Sequence, residues 1–314
     1  MTANVDRQTT LAEQVTLTGI GVHSGKPASI TLVPAEAGVG VVFTRTDKDD
    51  APEIPASWDK VSATALCTVL GDPSNEGVST VEHLMAALFG MGIDNLVVEV
   101  DGPEMPILDG SSEAFVEAIE QVGLKKLDRG RRYIKIKKTV RVDTGNAWCE
   151  LHPYNGTKFD ITIDFDTPLI GRQQFESDMT PDVFRNEVCR ARTFGYVKDV
   201  EQLWKMGFAL GSSLENSVAI SDDKVLNPEG TRWPDEFARH KALDAVGDLA
   251  LAGLPIMGLY RSFKGGHKMN HSILVKLFED PSAFEVVESP AFRKVGQIDK
   301  GGLAASAAFG PDVS

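Results

Sequence analysis

The stretch Ser79-Thr80-Val81-Glu82-His83-Leu84-Met85-Ala86-Ala87-Leu88-Phe89-Gly90-Met91-Gly92-Ile93-Asp94-Asn95-Leu96-Val97-Val98-Glu99-Val100 changes its period partway along. Val81, Leu84, Met85, Leu88 and Phe89 fall at i, i+3, i+4, i+7 and i+8, the stripe of a helix with one core-facing side. The spacing predicts a helix from Ser79 to about Phe89, stopped by Gly90 and Gly92, and then a strand from Asn95 to Val100. Upstream, Val15 to Thr18, Ala28 to Val33, Gly40 to Thr44 and Ala65 to Val69 read as short strands bounded by Gly, Pro or Asp. Downstream, Ser111 to about Val122 reads as a second helix.

The same order of strands, helix, strand and helix then recurs. Lys125-Lys126-Leu127-Asp128-Arg129-Gly130-Arg131-Arg132 is charged and turn-prone and reads as the boundary between halves, 1–126 and 127–300. Strands are predicted at Tyr133 to Val142, Ala147 to Leu151 and Lys158 to Phe165, and helices near Pro181 to Val188 and Val200 to Met206. A long helix from Pro234 to about Ala252, a strand from Pro255 to Phe263 and a last helix from about His267 to Phe278 complete the half. Residue identity between the halves is too weak to read as a repeat. Residues 301–314, rich in Gly, Ala and Ser, read as a frayed tail.

Acids outnumber bases, 45 against 32, for a formal charge of −13. Such a chain repels nucleic acid and anionic surfaces, so an anionic substrate must meet a local basic patch. The polar start, Met1 to Gln14, lacks the apolar segment of a secretory signal, and no apolar run approaches the roughly 20 residues of a bilayer span. Cys67, Cys149 and Cys189 are odd in number and far apart, which suits a reducing compartment and excludes a Cys-x-x-Cys ribbon. These features predict a cytoplasmic protein with no nucleic-acid partner.

At about 100° per residue His83 points almost directly away from its helix's apolar stripe, toward polar surface or a cleft. Glu82 beside it has two readings. Ser79-x-x-Glu82 is a capping box, and a carboxylate next to a metal-facing histidine is a base for water. His240, Asp244 and Asp248 are spaced by four along one narrow face of the long helix, opposite Leu243, Val246, Leu249 and Ala250. His-x-x-x-Asp by itself is also an ordinary solvated face. With Glu82-His83 upstream, two imidazoles and a carboxylate make three ligands and leave a fourth position open, the pattern of a catalytic zinc site. Ferrous iron accepts the same donors. Lys264-Gly265-Gly266-His267 ends a strand and opens a helix, so His267 is either a helix cap or an imidazole at an anion-facing helix start, with Asp248 as its compensating carboxylate. Gly19 to Lys26 lacks the glycine spacing of a phosphate loop, and neither His-Glu-x-x-His nor Gly-x-Ser-x-Gly occurs.

Over nearly its whole length the chain resembles the UDP-3-O-acyl-N-acetylglucosamine deacetylases, zinc amidases of lipid A synthesis in Gram-negative bacteria. The resemblance runs from Thr16-Leu17-Thr18-Gly19-Ile20-Gly21-Val22-His23-Ser24-Gly25 to the last helix. Its most specific pieces are Ser79 to Leu84, Pro106-Ile107-Leu108-Asp109-Gly110-Ser111, Arg190-Ala191-Arg192-Thr193-Phe194-Gly195, Glu236-Phe237-Ala238-Arg239-His240-Lys241 and Gly266-His267. The resemblance implies an α+β fold of two similar layered α/β halves, each a sheet with a helix pair and a small inserted lobe, and a metal site between them. It further implies Zn2+ held by His83, His240 and Asp244, with Glu82 as base and His267, held by Asp248, as general acid or oxyanion stabiliser. By the same resemblance Thr193 meets the reacting carbonyl, and Lys241, Lys264 and Phe194 contact an acylated UDP-sugar. An insert at about 195–225, carrying Leu203, Met206, Phe208, Leu210 and Leu214, receives the acyl chain. A monomer that touches the inner membrane only transiently is expected.

Two rival readings stand beside this one. A sugar-nucleotide binding protein with structural zinc is disfavoured because such sites are closed by four ligands, often cysteine. An amidase acting on a small soluble amide is disfavoured by the apolar insert and by Lys241 and Lys264.

Overall fold

A computed structural model of the chain describes residues 7–221 and 224–289. The expected tail, 301–314, and the last residues of the second half, 290–300, lie outside the described residues. The first half runs β1 (Arg7–Leu11), β2 (Val15–Ile20), β3 (Pro27–Pro34), β4 (Val41–Arg45), β5 (Ile54–Pro55), β6 (Val61–Ala63), β7 (Val69–Leu70), β8 (Val78–Ser79), α1 (Glu82–Met91), β9 (Leu96–Val100), α2 (Glu113–Val122) and β10 (Leu124–Gly130). The second continues with β11 (Arg132–Ile136), β12 (Val140–Asp143), β13 (Trp148–His152), β14 (Thr157–Asp164), β15 (Arg172–Asp178) and α3 (Pro181–Val183). A π turn at Phe184–Val188 leads to β16 (Phe194–Tyr196), α4 (Val197–Lys205), β17 (Val218–Ser221) and β18 (Lys224–Val225). The chain then forms α5 (Glu236–Ala250), β19 (Ile256–Phe263), α6 (His267–Glu279) and β20 (Phe284–Glu288).

Strand pairing reveals a duplication that residue identity conceals. In the first half β2 pairs antiparallel with β3, β3 antiparallel with β9, β9 parallel with β4, and β4 antiparallel with β5. The second half repeats each pairing with β12, β13, β19, β14 and β15. In both, the opening strand also pairs antiparallel with the closing one, β1 with β10 and β11 with β20. A three-stranded sheet is inserted at the same point of each half, β6 to β8 before α1 and β16 to β18 before α5. The α+β architecture of two layered halves with an inserted lobe in each is therefore present.

Alternation explains the sheets. In β3 the residues Ala28, Ile30 and Leu32 face inward, and in β9 Leu96, Val98 and Val100 do so. The helices of the two halves meet, α1 packing on α5. Nine of the ten α1 residues are consequently buried, so the side opposite its apolar stripe is interior rather than surface. Truncating a fully buried leucine there, such as Leu84, to alanine costs about 2–5 kcal/mol.

Several predicted elements shift. α1 starts at Glu82, because Ser79 belongs to β8 and Thr80 has φ 62° in the left-handed region. The Ser79 hydroxyl donates to the Pro103 carbonyl, so the capping box does not form. The charged boundary stretch is mostly strand β10, and the 126/127 division falls inside it; only Leu127 of that strand is buried, which leaves no alternation to read. The strand expected from Tyr133 to Val142 is interrupted between β11 and β12, and that expected from Ala65 shrinks to β7.

Candidate metal centre and active site

His83 is the second residue of α1, and His240 and Asp244 lie one turn apart on α5, so the crossing of the two helices brings them together. One donor atom from each falls within 4.8 Å of the others. The Nε2 atoms of His83 and His240 lie 3.6 and 3.4 Å from Asp244 Oδ1. All three residues are buried, and among the described residues that Oδ1 has no hydrogen-bond partner. A buried carboxylate oxygen facing two ring nitrogens is costly unless a cation sits among them. The donor set thus fits a metal ion.

Two contacts orient His240 and Asp244. His240 Nδ1–H donates to the Ala191 carbonyl at 3.0 Å, which leaves Nε2 with its lone pair toward Asp244. Burial lowers the His240 pKa to about 3, the neutral form a ligand requires. Lys241 donates to Asp244 Oδ2 at 2.6 Å, occupying the other carboxylate oxygen. Burial opposes ionisation of Asp244, but His240, Lys241 and His267 outweigh it and hold the carboxyl well below the usual range.

Beside this cluster Glu82, Asp248 and His267 form an acid–base group. His267 Nδ1–H donates to Asp248 Oδ2 at 2.9 Å, and His267 Nε2 faces Glu82 Oε1 at 3.8 Å. Burial disfavours the imidazolium, yet Asp248, Glu82 and Asp244 together overcome it and push the His267 pKa up to about 10. Burial raises the Glu82 carboxyl above its ordinary value, against the pull of His267 and His83. One group is thereby poised to accept a proton and the other to give one.

A cavity of about 500 Å³ opens from these residues. Glu82, His83, Asp244 and His267 line its floor with Thr193 and Lys241, and Leu203, Trp204, Ala209 and Leu214 of the second insert form an apolar wall. Phe194 stands between, its ring 6.1 Å from that of His240 and beneath the Lys241 ammonium at 5.7 Å. Met206, Phe208 and Leu210 do not line this cavity and stand exposed. Lys264 is likewise outside it, pairing with Asp164 at 3.2 Å.

Sequence reading passed over several contributors. Thr68 donates its backbone N–H to Glu82 Oε2 at 3.0 Å and its hydroxyl to Asp248 Oδ1 at 2.6 Å. Asn270 donates to Asp248 Oδ2 at 2.8 Å. Arg192, buried against Glu236 at 3.0 Å, anchors the segment whose Ala191 carbonyl orients His240. Only Arg192 and Glu236 lie in a recognisable motif; Thr68 carries no local signal.

These features define a duplicated α+β protein with a two-histidine, one-aspartate centre buried between its halves. The family profile described as UDP-3-O-acyl N-acetylglycosamine deacetylase matches residues 8–279, and the chain belongs to that family. Proteins named UDP-3-O-acyl-N-acetylglucosamine deacetylase from Brucella ovis and Brucella canis are each 53% identical over 283 residues, covering 90% of this chain and 99% of theirs. The protein of that name from Brucella melitensis biotype 2 is 52% identical over the same span.

Proposed function

We propose that the chain hydrolyses the N-acetyl group of a UDP-3-O-acyl-N-acetylglucosamine, releasing acetate and the free amine in lipid A biosynthesis. The observation that carries this is the partnerless Asp244 Oδ1 facing two imidazole nitrogens, on the floor of a cavity that also holds Glu82, His267 and an apolar wall. His83, His240 and Asp244 would hold the ion, Zn2+, and the same donors would accommodate Fe2+. When bound, the ion lowers the pKa of water and polarises the amide carbonyl.

The chain's own groups do the rest. Glu82 accepts the proton of the attacking water, its oxygen Oε1 being the one left free by Thr68. Thr193, held by a hydrogen bond from its N–H to the Gly110 carbonyl, meets the oxygen on which charge develops. His267, kept protonated by its carboxylates, gives a proton to the departing sugar nitrogen. Asp248 orients it. Lys241 and Phe194 contact the sugar nucleotide within the cavity, Lys264 meets it outside by exchanging its pairing with Asp164, and Leu203 and Leu214 contact the acyl chain.

Among the described residues no helix is long and apolar enough to cross a membrane. Exposed Trp204, Met206, Phe208 and Leu210 around the insert suit brief contact with the inner membrane by a monomer working in the cytoplasm. Metal analysis coupled to deacetylation of the acylated sugar nucleotide tests the assignment, with His240→Ala as control. Stoichiometric zinc or iron, with turnover lost in the control, supports it. Equal turnover of acylated and unacylated sugar nucleotides would overturn the substrate.

A further inference from the structure

Thr68 closes a ring of contacts around the acid–base group. Its hydroxyl donates to Asp248 Oδ1 at 2.6 Å, and Asp248 Oδ2 accepts from His267 Nδ1 at 2.9 Å. His267 Nε2 faces Glu82 Oε1 at 3.8 Å, and Glu82 Oε2 accepts from the Thr68 backbone N–H at 3.0 Å. The Thr68 carbonyl also accepts from Val81 N–H, in the turn that enters α1. All three polar groups of this residue are thus committed, and it is 1% exposed. Glu82 belongs to the first half, and Asp248 and His267 to the second. Thr68 comes from the insert of the first half, just before β7.

We infer that Thr68 is a positioning residue that registers the proton acceptor against the proton donor. By taking Glu82 Oε2 it leaves Oε1 as the oxygen turned to the cavity. By taking Asp248 Oδ1 it leaves Oδ2 to hold His267 through Nδ1, so that Nε2 points into the site. Without the hydroxyl, Asp248 keeps a buried oxygen with no donor and is held only through Oδ2, by His267 and Asn270, about which the carboxylate can turn and carry His267 with it. Geometry slackens while the three metal ligands, which Thr68 does not touch, stay in place. This inference rests on the function proposed above.

The test compares Thr68→Val, Thr68→Ala and Thr68→Ser in the metal-loaded enzyme. Valine keeps the shape and the backbone N–H and removes only the hydroxyl. The expected result is a kcat about 10-fold lower for both hydroxyl-free variants, with KM and bound metal unchanged, and near-complete recovery with serine. If valine at this position prevents folding, the alanine and serine pair carries the comparison. An unchanged kcat without the hydroxyl overturns the inference, as does a serine variant as slow as the valine one, or a loss that tracks metal content. The proposed function fails separately, in wild-type enzyme that does not turn over the acylated substrate. Active wild type, an inactive Glu82→Ala and a normal Thr68→Val would sink the role of Thr68 alone.

Discussion

Gly247 of α5 lies against the backbone carbonyl of Glu82 at the first residue of α1, where a β-carbon would have no room. The two helices that carry the proposed ligands therefore meet backbone to backbone, and the rings of His83 and His240 stand 5.2 Å apart at nearly a right angle. A glycine inside a helix costs up to about 1 kcal/mol relative to alanine. Here it permits the crossing that assembles the site.

Gly247→Ala accordingly tests the crossing. The added methyl forces α1 and α5 apart, an overpacking cost of about 1–3 kcal/mol that exceeds the gain in helix propensity. Thermal unfolding at a lower temperature and weaker metal binding by titration are expected. Wild-type values in both measurements would show that the contact is not what sets the site.

Glu82→Ala removes the proposed proton acceptor without touching a metal ligand. A fall in kcat of about 100-fold or more, with the metal retained, is expected. Activity within a few-fold of wild type would remove Glu82 from the mechanism.

Asp248→Asn addresses the pH profile. In the proposed mechanism His267 acts in its protonated form, so activity should be lost as pH rises through its pKa, which the carboxylates hold above the ordinary histidine value. Replacing the Asp248 carboxylate by a neutral amide removes the largest of these supports. The basic limb of the kcat/KM profile should move to lower pH; Glu82 also feels Asp248, so the basic limb is the one that reads the loss of support to His267. A stationary basic limb would assign it to another group.

Chelation should lower the unfolding temperature, because an ion bound only by the folded state stabilises it by about 4 kcal/mol at roughly 1,000 times its Kd. Re-adding zinc should restore the wild type. His240→Ala, lacking one donor, should show little of this dependence, and an equal response from it would place the ion elsewhere.

Leu203→Asp puts a charge on the apolar wall of the cavity. KM should rise by about 10-fold or more for a long-chain substrate and much less for a short-chain analogue. An equal effect on both would mean that the acyl chain does not lie along Leu203.

Helix periodicity made His83, His240 and Asp244 legible, because residues four apart must share a face and a polar face opposite an apolar stripe has to meet something. The duplication was legible only as element order. Its proof is strand pairing, as when β4 joins β9 and β14 joins β19, and hydrogen-bonded register leaves no trace in residue identity. Strand β10 was hidden because nearly all of its side chains face water. Glu82 shows the opposite failure, since the local capping pattern was present but the chain turned at Thr80 before the helix began.

The amino-acid sequence by itself determined the family to which this protein belongs and the residue types of its candidate site: two imidazoles and a carboxylate, the proposed acid and base beside them, and the apolar insert. Only the tertiary structure decided which atoms face one another. Thr68 and Asp248 are 180 residues apart and share a hydrogen bond, and Gly247 meets Glu82 across the two halves. Short-range spacing carries information because the backbone geometry of a helix is regular. Contacts between distant segments depend on how whole elements pack, and no local pattern records that.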